Sequence, residues 1–573
     1  MKFLVDMLSE EVGKAFEAAG YDSKYGKASV SNRPDLCEYQ CNGAMTAVKE
    51  YKKAPVVIAE EVADKLGASE LFAKAEAVKP GFLNLTLSDK CLTDYLEQMQ
   101  QSDKYGIESP EKPMKIVVDY GGPNVAKPLH IGHLRAAIIG ESVKRIGRFI
   151  GHDMLGDIHM GDWGLQMGLI IAEMQERGMG LPTIHELEEI YPAASARSKE
   201  NEDFRQKAMS ITNELQHGNQ EYLDIWKHIM KISVEDLKKN YERLNVGFEI
   251  WKGESDADPY IAPMIEKMKQ DGFAYESQGA LVVDVTEEKD AKEVPPCILL
   301  KSDGAALYTT TDLATLVQRM QDYDPAWVIY VVDKRQDLHF RQVFRCARKT
   351  GIVPEDTRLD FLGFGTMNGA DGKPFKTREG GVMKLETLLS DVNERMLEKM
   401  KENGNEMSPE EAEDTAKKVA LAAIKYGDLS NQASKDYVFD IDKFTSFEGN
   451  TGPYILYTIV RIKSILRKLG ESGAELEGLS IKAPSNPQER ELDLILSRFN
   501  SMMENAFEEI APHRVCAYIY ETANAFNRFY HETKIITEPD AEKRKSWTAL
   551  LQLTMGILED SIGVLGFEAP EQM

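Results

Sequence analysis

The sequence is poor in cysteine and has no long hydrophobic run. Six cysteines are scattered over 573 residues, a usage typical of reduced thiols rather than of disulfide-stapled secreted proteins. Cys37 and Cys41 form a lone C-x3-C pair with no partner pair at zinc spacing, so we expect no metal site there. No window approaches the roughly 20 apolar residues of a membrane span. We therefore expect a soluble, cytoplasmic protein with no membrane partner.

Positive charge is also scarce. The chain has 69 Lys and Arg against 94 Asp and Glu, a formal net charge of −25. This excludes a general nucleic-acid coat protein, which needs clustered cations. One specific RNA partner remains compatible, since acidic repulsion elsewhere suppresses non-specific binding. Residues 461–468 carry four cations on one predicted helix, either as part of such a surface or as an ordinary solvated face.

The chain is too long to fold around one hydrophobic core, and its length indicates roughly three to five domains. From residue 114, short apolar runs alternate with amphipathic helices, which predicts a parallel α/β sheet. After about residue 384, apolar residues recur at helical spacing. The predicted divisions are an α+β domain at 1–112, an α/β domain at 113–384 with a helical insertion at about 170–280, a helical connector at 385–450 and an all-α bundle at 451–573. The predicted sheet strands are 115–120, 326–332 and 360–365.

The segment His130-Ile-Gly-His133 follows the first of these strands and opens a predicted helix. A strand that feeds a helix N-terminus is where parallel sheets bind nucleotide phosphates, because unpaired N–H groups and the helix dipole favour anions. The histidine rings add donors, and Gly132 lets a ligand approach the backbone. Asp119 stands at the end of the strand, so we expect its carboxylate to face the crevice above the sheet where the nucleotide site is predicted. The segment predicts a nucleotide site.

A second candidate is the basic, glycine-flanked segment 371–381. Its cations, Lys373, Lys376 and Arg378, suit a loop that closes over a triphosphate. Such a segment alone is more often a solvated turn. Its position after His130-Ile-Gly-His133 and after a predicted strand favours phosphate contact.

A third candidate pairs Tyr308 with Asp312, four residues apart and so on one helix face. An aromatic ring with a carboxylate suits a guanidinium, which stacks on the ring and pairs with the carboxylate. Thr309-x-x-Asp312 also fits a helix capping box, and spacing alone favours that structural role.

Together these motifs resemble those of bacterial-type arginyl-tRNA synthetases, a family of class I aminoacyl-tRNA synthetases. The resemblance covers essentially the whole chain, in family order. The matching segments are Pro123-Asn-Val-Ala-Lys-Pro-Leu-His-Ile-Gly-His-Leu-Arg135, His159-Met-Gly-Asp-Trp-Gly-Leu-Gln166, Tyr308-Thr-Thr-Thr-Asp312, Arg335-Gln336, Gly372-Lys-Pro-Phe-Lys-Thr-Arg378, Phe447-Glu-Gly-Asn-Thr-Gly-Pro-Tyr454 and Leu565-Gly-Phe-Glu-Ala-Pro-Glu571.

The resemblance implies a Rossmann-like catalytic domain, an N-terminal domain that binds the tRNA elbow and a C-terminal bundle that binds the anticodon. It implies ATP-dependent ligation of L-arginine to the 3′ end of tRNA through an arginyl-adenylate, with Mg²⁺, in a protein expected to be monomeric. The implied arginine-binding residues are Asp119, Asn124, Tyr308, Asp312 and Gln336. The implied ATP-binding residues are His130, Gly132, His133, Lys373, Lys376 and Arg378, and the implied tRNA-binding residues are Asn42, Tyr454, Arg461 and Tyr518.

Three ambiguities accompany the resemblance. Asn42 fits a D-loop contact or a turn residue before Gly43 equally well. The second motif of class I enzymes, Lys-Met-Ser-Lys-Ser, aligns in two registers, and one of them lacks a lysine. In that register Lys127 is placed to supply the missing cation, so we predict Lys127, His130, His133, Lys373 and Lys376 as catalytic. A tRNA-binding paralogue without chemistry and a small-molecule nucleotidyltransferase are the competing hypotheses.

Overall fold

The structure is a computed structural model that describes residues 1–369, 371–373, 383–402 and 407–573. The N-terminal part contains a four-stranded antiparallel sheet in the order β1-β2-β4-β3, packed against helices, as the mixed α+β prediction requires. Its elements are α1 (Leu4–Ala18), β1 (Ala28–Val30), β2 (Tyr39–Cys41), α2 (Gly43–Tyr51), α3 (Pro55–Leu66), β3 (Phe72–Val78), β4 (Phe82–Leu87) and α4 (Asp89–Gln101).

The middle of the chain alternates strands and helices. Its elements are β5 (Lys115–Gly121), α5 (Ile131–Ile150), β6 (Asp153–Met160), α6 (Leu165–Arg177), α7 (Ile184–Glu200), α8 (Glu202–Gln216), α9 (Gln220–Arg243), β7 (Ile250–Gly253), α10 (Glu254–Gln270), β8 (Ala274–Ser277), β9 (Ala280–Val283), β10 (Cys297–Leu300), α11 (Tyr308–Asp322), β11 (Trp327–Asp333), α12 (Asp337–Lys349), β12 (Arg358–Phe364) and β13 (Met367–Asn368).

The central sheet has five parallel strands in the order β12-β11-β5-β6-β7. The three strands predicted from the sequence are β5, β11 and β12, so the parallel α/β prediction is confirmed. Helix α5 ends at Gly151, whose φ of 114° is the left-handed conformation that glycine adopts most readily. The carboxyl ends of parallel strands meet at one edge, which gathers the candidate residues after β5, β6 and β11.

The stretch predicted as a helical insertion at about 170–280 is only partly helical. Helices α6 to α9 run to residue 243, but β7 then joins the central sheet and β8 pairs with β9 in a small antiparallel sheet. These strands have four residues each, which is too short for a period of two to stand out against the flanking helices. The domain boundaries themselves stay a prediction.

In its described residues the C-terminal part is helical apart from β14 (Tyr437–Val438), which pairs with β13 and shows that strands do not end at residue 384 as predicted. Two-residue strands leave no periodic signal in a sequence. The elements are α13 (Leu385–Glu402), α14 (Pro409–Leu429), β14 (Tyr437–Val438), α15 (Ile441–Phe444), α16 (Gly452–Glu471), α17 (Pro487–Leu496), α18 (Phe499–Glu508), α19 (Pro512–Glu532) and α20 (Ala541–Val564).

The helical bundle packs on both other parts of the chain. Helix α5 contacts α14, α18, α19 and α20. The Arg490 guanidinium on α17 donates to Glu38 Oε1 and to Asp89 Oδ1, both at 2.6 Å, which ties the bundle to the N-terminal part. None of the helices in the described parts of the chain is long and apolar enough to cross a membrane.

Candidate functional site

His130 and His133 cap the N-terminus of α5 with their rings. His130 Nδ1 accepts a hydrogen bond from Gly132 N at 3.0 Å, and His133 Nδ1 accepts one from His130 N at 3.2 Å. The two ring centroids lie 4.0 Å apart. Both rings therefore satisfy backbone donors that every helix leaves unpaired at its start.

Burial keeps both rings neutral. It lowers the pKa of His133 to about 3, with the neighbouring His130 adding to the effect. Burial, helped by the charge of Lys127, also lowers the pKa of His130. A neutral ring whose Nδ1 accepts must carry its proton on Nε2. Each histidine thus presents one Nε2–H donor, which suits a phosphate oxygen and requires no protonation step.

Gly132 has a second reason to be glycine. A Cβ at this position would lie 2.7 Å from His130 Cε1 and 2.8 Å from His130 Nδ1. A side chain there would displace the capping ring, so the residue serves the geometry of His130 as well as ligand access.

The described residues after the second candidate segment pair with the first motif through the backbone. Ile131 N donates to Met383 O at 3.1 Å, and Leu385 N donates to Leu129 O at 3.0 Å. Residues 383–385 are thus paired with the chain that starts α5. Lys373 is exposed, and its carbonyl accepts from Gly369 N at 2.8 Å. Lys376 and Arg378 lie outside the described residues.

Arg135, which the sequence offered only as part of the first motif, is 2% exposed and binds the chain that follows β12. Its guanidinium donates to Asp428 Oδ2 at 2.9 Å and to the carbonyls of Gly365 and Lys435 at 2.7 and 3.1 Å. Gly365 follows β12 directly. One buried side chain therefore joins α5 to the segment that leads into the second motif.

Lys127 lies three residues before His130, with its Nζ 4.5 Å from the ring centroid of Tyr191 on α7. Asn124 is exposed nearby and forms a backbone bridge with Gly161. A Cβ on Gly161 would lie 2.2 Å from Asn124 Oδ1, so this glycine makes room for the Asn124 side chain.

The matching segment 159–166 holds the backbone around Asn124 and Gly161. Asp162 Oδ2 accepts from Ser255 Oγ at 2.6 Å and Oδ1 accepts from Ser255 N at 3.0 Å, while burial raises the pKa of Asp162 to about 6. Gln166 Nε2 donates to the carbonyl of Gly161. Asp162 and Gln166 therefore hold backbone rather than face the crevice.

Asp119 at the end of β5 is paired with Arg319 of α11. Arg319 Nη2 lies 2.5 Å from Asp119 Oδ2 and 2.8 Å from Asp157 Oδ2 on β6. Burial raises the pKa of Asp119, and Arg319 opposes that shift. Asp119 keeps 14% of its side chain exposed, so it remains reachable from the crevice.

Helix α11 begins at Tyr308, and Thr309 and Asp312 do not form the capping box that spacing alone favours. The helix cap is at Leu307, whose N–H donates to Thr310 Oγ1 at 3.2 Å. Asp312 Oδ2 instead lies 2.5 Å from His339 Nε2 on α12. Tyr308, one turn before Asp312 on the same face of α11, is 77% exposed. Gln336 is exposed one turn before His339.

A cleft of about 660 Å³ in the helical bundle collects two of the predicted tRNA contacts, Tyr454 and Arg461. Tyr454 Oη donates to Asn524 Oδ1 at 2.7 Å. The Arg461 guanidinium lies 4.8 Å from the ring centroid of Tyr457 and 5.4 Å from that of Tyr530. Tyr457 is 41% exposed, so an aromatic and cationic surface faces solvent here.

Tyr518 is a correction to the predicted site. It is 5% exposed, and its Oη donates to Leu496 O at 3.4 Å inside the bundle. A core tyrosine cannot reach a nucleotide. Asn42 is exposed before α2 and makes no side-chain cap bond. Gly43 is required because a Cβ there would lie 1.8 Å from Tyr25 O. The turn therefore requires Gly43, whereas the exposed Asn42 side chain has no capping role at the start of α2.

Two residues of the site were missed from the sequence, His339 and Arg319. His339 follows Gln336 by three residues, a spacing that places both on one helix face and was a usable signal. Arg319 follows Asp312 by seven residues on α11, but its carboxylate partners are distant in sequence. In the described ranges, no group of three or more His, Cys, Asp or Glu side chains is arranged to hold a metal ion.

Family models match three consecutive regions of the chain: an arginyl tRNA synthetase N terminal domain at 4–87, a tRNA synthetases class I (R) catalytic domain at 94–441, and a DALR anticodon binding domain at 455–573. The arginine–tRNA ligases of Agathobacter rectalis and Alkaliphilus oremlandii are 59% and 53% identical, each over 100% of both chains.

The fold agrees with solved structures. The arginyl-tRNA synthetase of Thermus thermophilus superposes with a TM-score of 0.83 at 23% identity, and that of Plasmodium falciparum with 0.83 at 24%, each over 100% of both chains. At these identities the structures establish the fold alone. The family follows from the matched catalytic domain and the full-length relatives: the chain belongs to the arginyl-tRNA synthetases.

Proposed function

We propose which residues carry out the reaction of this family, the ATP-dependent ligation of arginine to tRNA. The chain is an enzyme of that activity, and its substrates are ATP, arginine and tRNA. One observation carries the assignment of residues. The carboxylates of Asp119 and Asp312 and the neutral rings of His130 and His133 all belong to segments at the carboxyl edge of one parallel sheet.

Asp119 and Asp312 bind the substrate guanidinium, with Tyr308 as an aromatic wall. Each carboxylate is held by a protein cation or ring, Arg319 or His339, and each retains exposed surface. A guanidinium pairs with carboxylates and stacks on rings, which a neutral side chain cannot do. Gln336 at the start of α12 and Asn124 after β5 complete the polar contacts to arginine.

His130 and His133 bind the phosphates of ATP through Nε2–H, and Gly132 admits them to the helix N-terminus. The carboxylate of arginine attacks the α-phosphorus in line, a P–O bond forms, and the bond to pyrophosphate breaks. Charge on the phosphates is stabilised by donors already in place, so no covalent enzyme intermediate is needed. A hydroxyl of the 3′-terminal adenosine then attacks the arginyl carbonyl, and AMP leaves.

Lys127 and Lys373 add positive charge from two sides of the phosphates. The role of Lys127 is supported by its effect on both histidines, because its charge helps to lower the pKa of His130 and of His133. Lys376 and Arg378 are proposed on the sequence pattern alone. ATP enters as its Mg²⁺ complex, so we write the ion as part of the substrate.

The bundle cleft with Tyr454 and Arg461 binds tRNA bases, and Asn42 contacts the tRNA elbow. We also propose the domain boundaries 1–112, 113–384, 385–450 and 451–573. Six buried cysteines without disulfide bonds support a location in the cytoplasm, because they are typical of a reducing compartment. We also propose a monomer. Sedimentation of the purified chain tests the oligomeric state.

Aminoacylation of purified tRNA with each amino acid in turn tests the function. We expect product with arginine only, and a His130→Ala, His133→Ala double variant to lose at least about 10³-fold in rate. A wild-type chain that binds tRNA without charging it would favour the non-catalytic paralogue. Normal charging by the double variant would overturn the assignment of the histidines.

A further inference from the structure

Three side chains stand in a row across adjacent strands of the central sheet. Asp119 on β5 is in register with Asp157 on β6 and with Tyr330 on β11. In-register residues of parallel strands project from the same face of the sheet. The row therefore forms a continuous strip with two carboxylates side by side.

Arg319 of α11 covers this row. Its Nε donates to Asp157 Oδ2 at 2.9 Å, its Nη2 reaches Asp119 Oδ2 at 2.5 Å, and its guanidinium lies 5.3 Å from the centroid of the Tyr330 ring. Arg319 is 1% exposed and Asp157 3%, whereas Asp119 retains 14%. The network is buried except on the side of Asp119.

The network has fewer positive than negative charges, and some of its polar atoms lack hydrogen-bond partners within the described structure. Two carboxylates share one guanidinium, which leaves one net negative charge when all three groups are ionised. Asp157 Oδ1 and Arg319 Nη1 are buried without hydrogen-bond partners in the described structure. Arg319 engages only Oδ2 of Asp119, and Oδ1 of Asp119 has no partner in the described part of the chain.

We propose that Arg319 is a positioning residue for the amino-acid substrate: it fixes Asp119 Oδ2 and so presents Asp119 Oδ1, on the exposed side of the two carboxylates, to the substrate guanidinium. The inference rests on the proposed role of Asp119. Arg319 itself does not touch the substrate. Like the substrate it carries a guanidinium, so the site holds one arginine side chain in order to bind another.

The physical reason lies in the surroundings of Asp119. Burial and the charge of Asp312 both raise the pKa of Asp119, while Arg319 lowers it. The remaining facing groups are Asp157 and His159 on β6 and Tyr330 on β11. Burial lowers the pKa of His159, so this ring brings no compensating charge at neutral pH. Without Arg319, Asp119 and Asp157 would be adjacent, buried and uncompensated, and one of them would bind a proton.

The test compares Arg319→Met, Arg319→Lys and the double variant Arg319→Met, Asp157→Asn in ATP–pyrophosphate exchange with tRNA present. We expect Arg319→Met to raise KM for arginine by about 10-fold or more and to change KM for ATP by less than about twofold. The arginine kcat/KM of this variant should rise with pH, because Asp119 must first lose its proton. Arg319→Lys should be intermediate.

The double variant removes the adjacent like charge. Its KM for arginine should be at least about threefold lower than that of Arg319→Met. It also guards against a single variant that does not fold, and thermal melting is recorded for each protein. Arg345→Lys is the matched control, because Arg345 also pairs with a carboxylate, Asp290 Oδ1 at 2.7 Å, and neither Asp290 nor the carbonyl of Val285, to which Arg345 also donates, is a proposed substrate contact. Its arginine KM should be unchanged.

Asp119→Asn separates the two levels of inference. If Asp119→Asn leaves the arginine KM unchanged, the proposed role of Asp119 fails. If Asp119→Asn raises it but folded Arg319 variants do not, only the positioning role fails. Arginine and ATP KM values that rise together without a pH trend would show that Arg319 is merely structural.

Discussion

His133 Nδ1 accepts a hydrogen bond from the N–H of His130 at 3.2 Å, so the second histidine of the motif positions the first. An asparagine at position 133 can supply the acceptor but not the distal Nε2–H. We predict that His133→Asn folds normally and lowers the single-turnover rate of adenylate formation by about 10²- to 10³-fold. His133→Gln, which offers a distal donor without the acceptor, is the matched comparison. A wild-type rate in His133→Asn would remove His133 from phosphate binding.

The same variant tests the pKa of His133. In the unfolded chain this ring binds a proton near pH 6.5, but the folded pKa is about 3. The unfolded state therefore binds more protons between these values, and stability falls as pH falls, by about 1.4 kcal/mol per pH unit. Urea unfolding from pH 6.5 to 5 should show His133→Asn losing stability less steeply than the wild type. Equal slopes would show that the ring protonates in the folded state.

Gly132→Ala places a Cβ 2.8 Å from His130 Nδ1. The capping ring must move, so we expect a loss of about 1–3 kcal/mol in the free energy of unfolding together with a reduced adenylation rate. Gly563→Ala in α20 is the control, because a Cβ there meets nothing within 4 Å. The control should be neutral or more stable by up to about 1 kcal/mol. Identical behaviour of the two variants would refute the steric argument.

Arg461→Ala removes the cation between Tyr457 and Tyr530 in the bundle cleft. We expect KM for tRNA in aminoacylation to rise about 10-fold, since stacking and phosphate contact contribute on the order of 1–3 kcal/mol. KM for arginine and ATP should not change. Tyr518→Phe, which alters a buried hydroxyl, should leave the tRNA KM unchanged. A raised tRNA KM in Tyr518→Phe would reinstate the residue that burial removes.

Lys425 is buried beneath the C-terminal segment and donates to Gly566 O at 2.9 Å. Burial, aided by the charge of Arg145, lowers its pKa to about 7. The unfolded lysine holds its proton up to about pH 10, so stability due to this group rises with pH between those values, by about 1.4 kcal/mol per unit. Relative to Lys425→Met, the wild type should gain stability from pH 7 to 9. Lys417→Met, which removes a lysine that is 61% exposed, is the control. The difference in stability between the wild type and this variant should not grow from pH 7 to 9.

Which tyrosines of the helical bundle are exposed could not be predicted from the sequence. Tyr457 and Tyr518 both fall on amphipathic helices, and periodicity identifies a stripe without saying what covers it. In the folded chain α19 buries Tyr518 against Leu496, while α16 leaves Tyr457 in the cleft. Spacing alone favoured a capping role for Asp312 for a similar reason, because the partner of this carboxylate, His339, is on another helix.

The sequence by itself determined the local features. The strand before His130, the helix that follows it and its end at Gly151 all depend on residues within a few turns of one another. Tertiary structure alone decided the partners of the charged groups. Arg319 meets Asp119 across 200 residues, and Met383 meets Ile131 across 252 (383 − 131), because these contacts form only when α11 packs on the sheet and the chain before α13 returns to the start of α5. Local pattern specifies where a side chain stands on its element, and the packing of elements specifies what it touches.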